Sequence, residues 1–417
     1  MTLDNRPRGR GTERIVRPVS SRLRTLYSRQ LWLNKWTVPG RMECGDDLAR
    51  GEGAAMTDAA EDTLKTELVG SLAVVTLARP RALNALTCAM RAKLSERLWA
   101  FARDPQVYAV ALQSESPRAF SSGSDVREVL SLARSDLAAG KKTFADEYAL
   151  NWQCECFSKP MVSLIDGMVM GGGVGISLYG THRVAGEGYS FAMPETMIGL
   201  FPDVGVCHAL ARLPDHVGMY LGLTGRSIGR ADAYALELVT HCIARARFEE
   251  IKAALADTWP VDTVLDERHV EPGPGDLAPH RHVIADCFSA STVEETVGRL
   301  DAVEGVHGDW ARAVAADLRK RSPLSLKITH RHIREAEARD LRQTLQTDYR
   351  IAVRMLEAGG DFYEGVRAAL IDKDGAPVWS PARLEDVTEA IVSSYFAPPE
   401  GGELALPTRE EMQALRA

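Results

Sequence analysis

The sequence predicts an α/β layered domain followed by a mostly helical section, and three observations carry that prediction. Short apolar runs alternate with helical stretches between about residues 66 and 260. One of them, Met161 to Ile165, ends in Asp166-Gly167 and reads as a buried strand closed by a turn. Beyond a loop-rich linker from Asp262 to His282, which carries Pro272, Pro274 and Pro279, residues Ser291 to Leu356 have helical character.

Taken in order, Thr66 to Ala78 reads as a strand, a Gly-Ser turn and an apolar strand, hence a hairpin. Met90 to Ala102 places apolar residues at helical spacing and is stopped by Asp104-Pro105. Val107 to Gln113 is another buried strand, and strand and helix units of this size layer into an α/β domain. Phe120-Ser121-Ser122-Gly123-Ser124-Asp125 is a polar turn that caps a helix over Val126 to Ala133, with Asp125 as the cap. Arg134 to Gln153 is polar and helical, and an isolated Glu147 on it reads as surface. Gly171-Gly172-Gly173 opens a helical Val174 to Leu178, and Ala231 to Leu238 is an Ala- and Leu-rich helix. Gly401 to Ala417 reads as a tail.

The chain has 417 residues and a formal net charge of −7, so it can bury a large core and is a poor match for a nucleic-acid backbone. No apolar run is long enough to span a bilayer. Seven scattered cysteines, without paired CxxC or His/Cys ligand spacing, read as reduced thiols and no metal site. His330 and His332, two residues apart, do not share a helix face, so metal binding is not expected of them. Residues 1 to 62 stand apart: Arg6, Arg8, Arg10, Arg14, Arg17, Arg22, Arg24 and Arg29 alternate with serines and then with Leu31, Trp32, Leu33 and Trp36. That composition is expected of a mitochondrial transit peptide, interrupted by Asp4 and Glu13, with Met56 as an alternative start that would leave the protein cytoplasmic.

The chemistry concentrates between Lys159 and Asp203. A strand turning through glycines into a helix aims free backbone N–H groups and the positive end of the helix dipole at one point, which suits an anion or an oxygen becoming one. Read alone, the glycine triplet is equally a tight packing turn. Two acids lie downstream, Glu195 after Met193-Pro194 and Asp203 after Phe201-Pro202, each among apolar residues. A carboxylate in such surroundings is paired, hydrogen-bonded or functional, because burying it alone is costly. His208, nearby, reads as packing.

Lys159-Pro160, Met170-Gly171-Gly172-Gly173-Val174-Gly175 and the run Phe191 to Thr196 with Ile198 to Gly205 resemble the crotonase (enoyl-CoA hydratase/isomerase) superfamily, and within it the 3-hydroxyisobutyryl-CoA hydrolases. The likeness extends from about Glu67 to Phe396. It implies a spiral of ββα units with a core at 66–260, a helical section at 283–396 covering the active site, and a tail at 397–417. It also implies an acyl-CoA substrate hydrolysed in valine breakdown, no separate cofactor since coenzyme A is part of the substrate, and subunit contacts that allow a homo-oligomer. By resemblance the oxyanion hole pairs the backbone N–H of Ser122 with that of Gly172. Glu147, Gly172, Glu195 and Asp203 bind substrate, and Glu195 and Asp203 are catalytic, Glu195 as general base or as nucleophile. Arg79 to Thr87 resembles the segment beside the coenzyme A site.

Two departures matter. Family members commonly carry Cys-Ala-Gly-Gly-Asp where this chain has Ser121 to Asp125. Hydratases of the superfamily use two glutamates on one water, and the first would fall at Gly175, which cannot do acid/base work. That is the hydrolase pattern. Two alternatives are a hydratase or isomerase of the same fold, and a non-catalytic relative built into the mitochondrial small ribosomal subunit.

Overall fold

Strands β1 (Leu64–Val69) and β2 (Leu72–Leu77) pair antiparallel with Val69 opposite Leu72, the hairpin expected of a Gly-Ser turn. The computed structural model describes residues 63–357 and 359–415, so the arginine-rich leader lies outside the described residues. The strands that follow are β3 (Ala109–Ser114), β4 (Ala119–Ser121), β5 (Met161–Ile165), β6 (Met168–Met170), β7 (His182–Ala185), β8 (Ser190–Ala192), β9 (Ile228–Gly229) and β10 (His241–Cys242). A six-stranded sheet runs β1-β2-β3-β5-β7-β10, parallel from β2 onward, and a four-stranded sheet runs β4-β6-β8-β9.

Each turn of the spiral places one strand in the large sheet, the next in the small sheet, and then a helical segment. The helices of the site region are α1 (Cys88–Arg103), α2 (Val126–Ser135), α3 (Leu137–Glu155) and α4 (Gly172–Ser177). Thus β3-β4 leads to α2 and α3, β5-β6 leads to α4, and β7-β8 leads to the 3-10 turn Glu195–Ile198. This is the ββα spiral the resemblance implies.

The apolar runs are continuous because both faces of the large sheet are covered. Along β2, Ala73, Val75 and Leu77 face the main core, while Leu72 and Val74 face a second cluster with Phe248, Ile251 and Leu255. The C-terminal helices Pro323–Ala336 and Leu341–Leu356 belong to the same core, which runs from Leu64 to Met412, and the second of them packs on α3.

Residues after 397, expected as a tail, are a correction. Leu404, Leu406 and Met412 are buried, and Trp152 donates its indole N–H to Pro407 O at 2.8 Å. The apolar side chains spaced along this polar segment anchor it.

Candidate active site

The site forms where β6 turns into α4. Gly171 holds φ 46° and ψ −125°, a backbone that favours glycine, and α4 starts at Gly172. The loop after β4 lies against this turn: a Cβ on Gly123, itself at φ 101°, would stand 3.2 Å from Met170 O and 3.4 Å from Gly172 N. Close approach of two backbones is thus what the glycines on both sides permit.

Ser122, expected to give the second oxyanion donor, does not. Its N–H donates to Leu83 O at 2.9 Å, and the Gly123 N–H is taken by Ser121 Oγ at 3.2 Å. The N–H that remains without a partner among the described residues is that of Ser124, whose nitrogen lies 3.2 Å from where a Cβ on Gly172 would be. The Gly172 N–H is likewise without a partner among the described residues. The available amide pair is therefore Ser124 with Gly172. The bridge that pairs Leu86 with Ser124 explains the two-residue offset: it spends Gly123 O and the Asp125 N–H and turns Ser124 N–H the other way.

Glu147 is buried, not on a solvated face. Its Oε2 takes Arg91 Nη1 at 3.1 Å, its Oε1 accepts the Ser124 hydroxyl, and both members of the ion pair are 3% exposed. A Cβ on Gly172 would overlap Oε1 of Glu147 and Oγ of Ser124. Sequence periodicity missed Arg91, a cation on an otherwise ordinary helix.

Glu195 begins the 3-10 turn after β8, held by Pro194. Its Oε1 lies 3.0 Å from the Cβ position of Gly171, and its Oε2 is the buried carboxylate oxygen without a hydrogen-bond partner among the described residues. Burial, with the charge of Glu147 adding to it, pushes this carboxyl up to about 8. Asp203 is also buried and accepts the Tyr148 hydroxyl at 2.8 Å. Burial first, then the charges of Glu147, Glu195 and Asp348, raise Asp203 well above the usual carboxylate range.

The chain after Asp203 is strained and pinned. Val204 and Gly205 have φ 53° and 76°. Tyr179 donates to Val204 O at 2.6 Å, and Gly205 N–H donates to Asp348 Oδ2 at 2.6 Å. Asp348 in turn faces His332 Nε2 at 2.5 Å, both fully buried. His330 Nε2 meets Ala290 O at 3.2 Å instead, and His208 Nδ1 meets Arg339 O at 3.2 Å, which makes these packing contacts.

Residues 72–396 match the family described as Enoyl-CoA hydratase/isomerase. The chain belongs to the enoyl-CoA hydratase/isomerase family. Among its relatives, 3-hydroxyisobutyryl-CoA hydrolase 1 of Arabidopsis thaliana is 39% identical, over 87% of this chain and 98% of that one. The mitochondrial 3-hydroxyisobutyryl-CoA hydrolase of Homo sapiens is 39% identical over 82% and 89%. A crystal structure of a carnitinyl-CoA dehydratase from Mycobacterium thermoresistibile superposes with a TM-score of 0.78 at 35% identity, over 83% of this chain and 99% of that one.

In this member of the enoyl-CoA hydratase/isomerase family, the turn of α4 that could have carried an acid carries Gly175 instead. A Cβ there would lie 2.5 Å from Asn151 Nδ2 and 2.9 Å from Val204 Cβ. An amide from α3 thus fills the volume beside residue 175, and Glu195 is the acid nearest the glycine turn with an oxygen left open.

Proposed function

We propose that the chain hydrolyses the thioester of 3-hydroxyisobutyryl-CoA, releasing 3-hydroxyisobutyrate and free coenzyme A. The observation that carries this reading is the pairing of one open carboxylate, Glu195, with an amide-lined turn and a side-chain-free Gly175. Hydration of a double bond handled by two acids lacks its second acid here. The name of the hydrolase relatives supports the substrate; the dehydratase title of the solved relative names the competing reaction.

The amides of Gly172 and Ser124 polarise the thioester carbonyl and take the oxyanion, at roughly 2.7–4 kcal/mol per donor in comparable sites. Ionised Glu195 removes a proton from the attacking water, and a carboxyl pushed up to about 8 is matched to that role near neutral pH. The tetrahedral intermediate collapses, expelling the coenzyme A thiolate, which takes back the proton held by Glu195. Asp203, its pKa raised by burial and by the charges of Glu147, Glu195 and Asp348, is held in place by the Tyr148 hydroxyl. Glu147 and Arg91 hold Ser124 in place from beneath. The helical section at 283–396 covers the site and supplies Asp348 to the Asp203 turn. We place the protein in the mitochondrion, from the printed name of its human relative and the character of the leader.

The test gives the full-length chain 3-hydroxyisobutyryl-CoA and follows free thiol, with crotonyl-CoA hydration followed in parallel. Thiol release without hydration supports the hydrolase; hydration without thiol release would replace it with a hydratase.

A further inference from the structure

Asn151 is fully buried, and neither its Nδ2 nor its Oδ1 has a hydrogen-bond partner among the described residues. Buried amides are almost always paired, and one left open at both ends marks a place where a polar group from outside the fold belongs. Its position says which group. Asn151 follows Glu147 by one turn on α3, and Gly175 follows Gly172 by three residues on α4. The two helices therefore meet in two steps, with Glu147 over Gly172 and Asn151 over Gly175. In both steps the absent glycine side chain is what admits the polar group.

We propose that Asn151 binds the 3-hydroxyl of the acyl chain and so sets the preference for 3-hydroxyacyl esters. This rests on the hydrolase reading above. With the carbonyl oxygen anchored at the Gly172 amide, the next step along α4 lies about 4.5 Å further on. A hydroxyl two carbons from the carbonyl reaches that far. A hydroxyl donates and accepts, as a primary amide does: Nδ2 donates to its oxygen and Oδ1 accepts its hydrogen. The carboxylates are less suited, since Asp203 is engaged by Tyr148 and Glu195 must keep an oxygen for the attacking water. The rival is an internal water that merely fills the gap.

The experiment measures kcat/KM of the full-length enzyme for 3-hydroxyisobutyryl-CoA and for isobutyryl-CoA, which lacks the hydroxyl, and takes their ratio. Asn151→Ala and the smaller perturbation Asn151→Ser are compared with wild type, each checked for folding by its thermal melt. The expected result is that wild type prefers the hydroxylated ester and that Asn151→Ala lowers the ratio by about tenfold or more, since a site built to bond a hydroxyl discriminates strongly against its absence. A ratio unchanged in both variants assigns Asn151 to the water and overturns the proposal. A wild-type enzyme that hydrolyses both esters equally also overturns it while leaving the hydrolase reading intact. No thiol release from either ester by wild type overturns the hydrolase reading itself.

Discussion

Tyr148 donates its hydroxyl hydrogen to Oδ2 of Asp203 across 2.8 Å, both side chains buried between α3 and the turn after Pro202. The hydroxyl is the contact that tempers the rise in the Asp203 pKa. Tyr148→Phe should cost about 0.5–1.5 kcal/mol of stability, with kcat falling more than KM changes. Denaturant unfolding and steady-state kinetics check both.

The raised carboxyl of Glu195 gives a pH dependence of definite sign. In the proposed mechanism its ionised form is the active one, so kcat/KM should climb with pH and level off above about 8. Stability runs the other way. A carboxyl whose folded pKa lies above its unfolded value of roughly 4.3 favours folding most at low pH. That contribution is lost as pH rises through about 8. Glu195→Gln should therefore gain stability over wild type as pH rises from 5 to 9, by a margin on the order of a few kcal/mol, measured as unfolding midpoints across that range.

Arg91 and Glu147 form a pair that neither can leave alone. Arg91→Met strands a buried carboxylate under the glycine turn and should cost about 3–5 kcal/mol. The double variant Arg91→Met/Glu147→Leu should recover much of that loss in urea unfolding, while thiol release stays low because Ser124 has lost its support.

Asp348 acts through the turn it holds. Asp348→Asn weakens the contacts to Gly205 N–H and His332, and the strained Val204-Gly205 backbone should relax. The expected outcome is a drop in kcat without a matching rise in KM, together with lost protection of the Gly205 amide in hydrogen exchange.

The fold was legible because its strands are continuous apolar runs and its turns carry Gly, Asp and Pro at the places backbone geometry demands. That the glycine turn meets a buried Glu195, with Asp203 also buried, was legible in part, because glycines beside proline-preceded acids in apolar sequence single out that stretch; the roles of these residues came only from the family resemblance. The contacts that complete the site were not. Arg91, Tyr148, Asn151 and Asp348 come from helices whose sequences look ordinary, and only the fold brings Arg91 to Glu147, Tyr148 to Asp203 and Asp348 to Gly205, which lie 56, 55 and 143 residues away in the chain. Ser122 was misread because register in a polar loop depends on which amides a neighbouring strand consumes, and the Leu86 bridge decides that. The segment after 397 was misread because three apolar side chains anchor a stretch that is otherwise polar.

The proposed hydrolysis depends on Glu195 as the base. The measurement is thiol release from saturating 3-hydroxyisobutyryl-CoA by the full-length Glu195→Gln variant, with its thermal melt taken alongside. A folded variant with kcat reduced by about 100-fold or more is the predicted result. A folded variant that turns over at the wild-type rate would contradict the account.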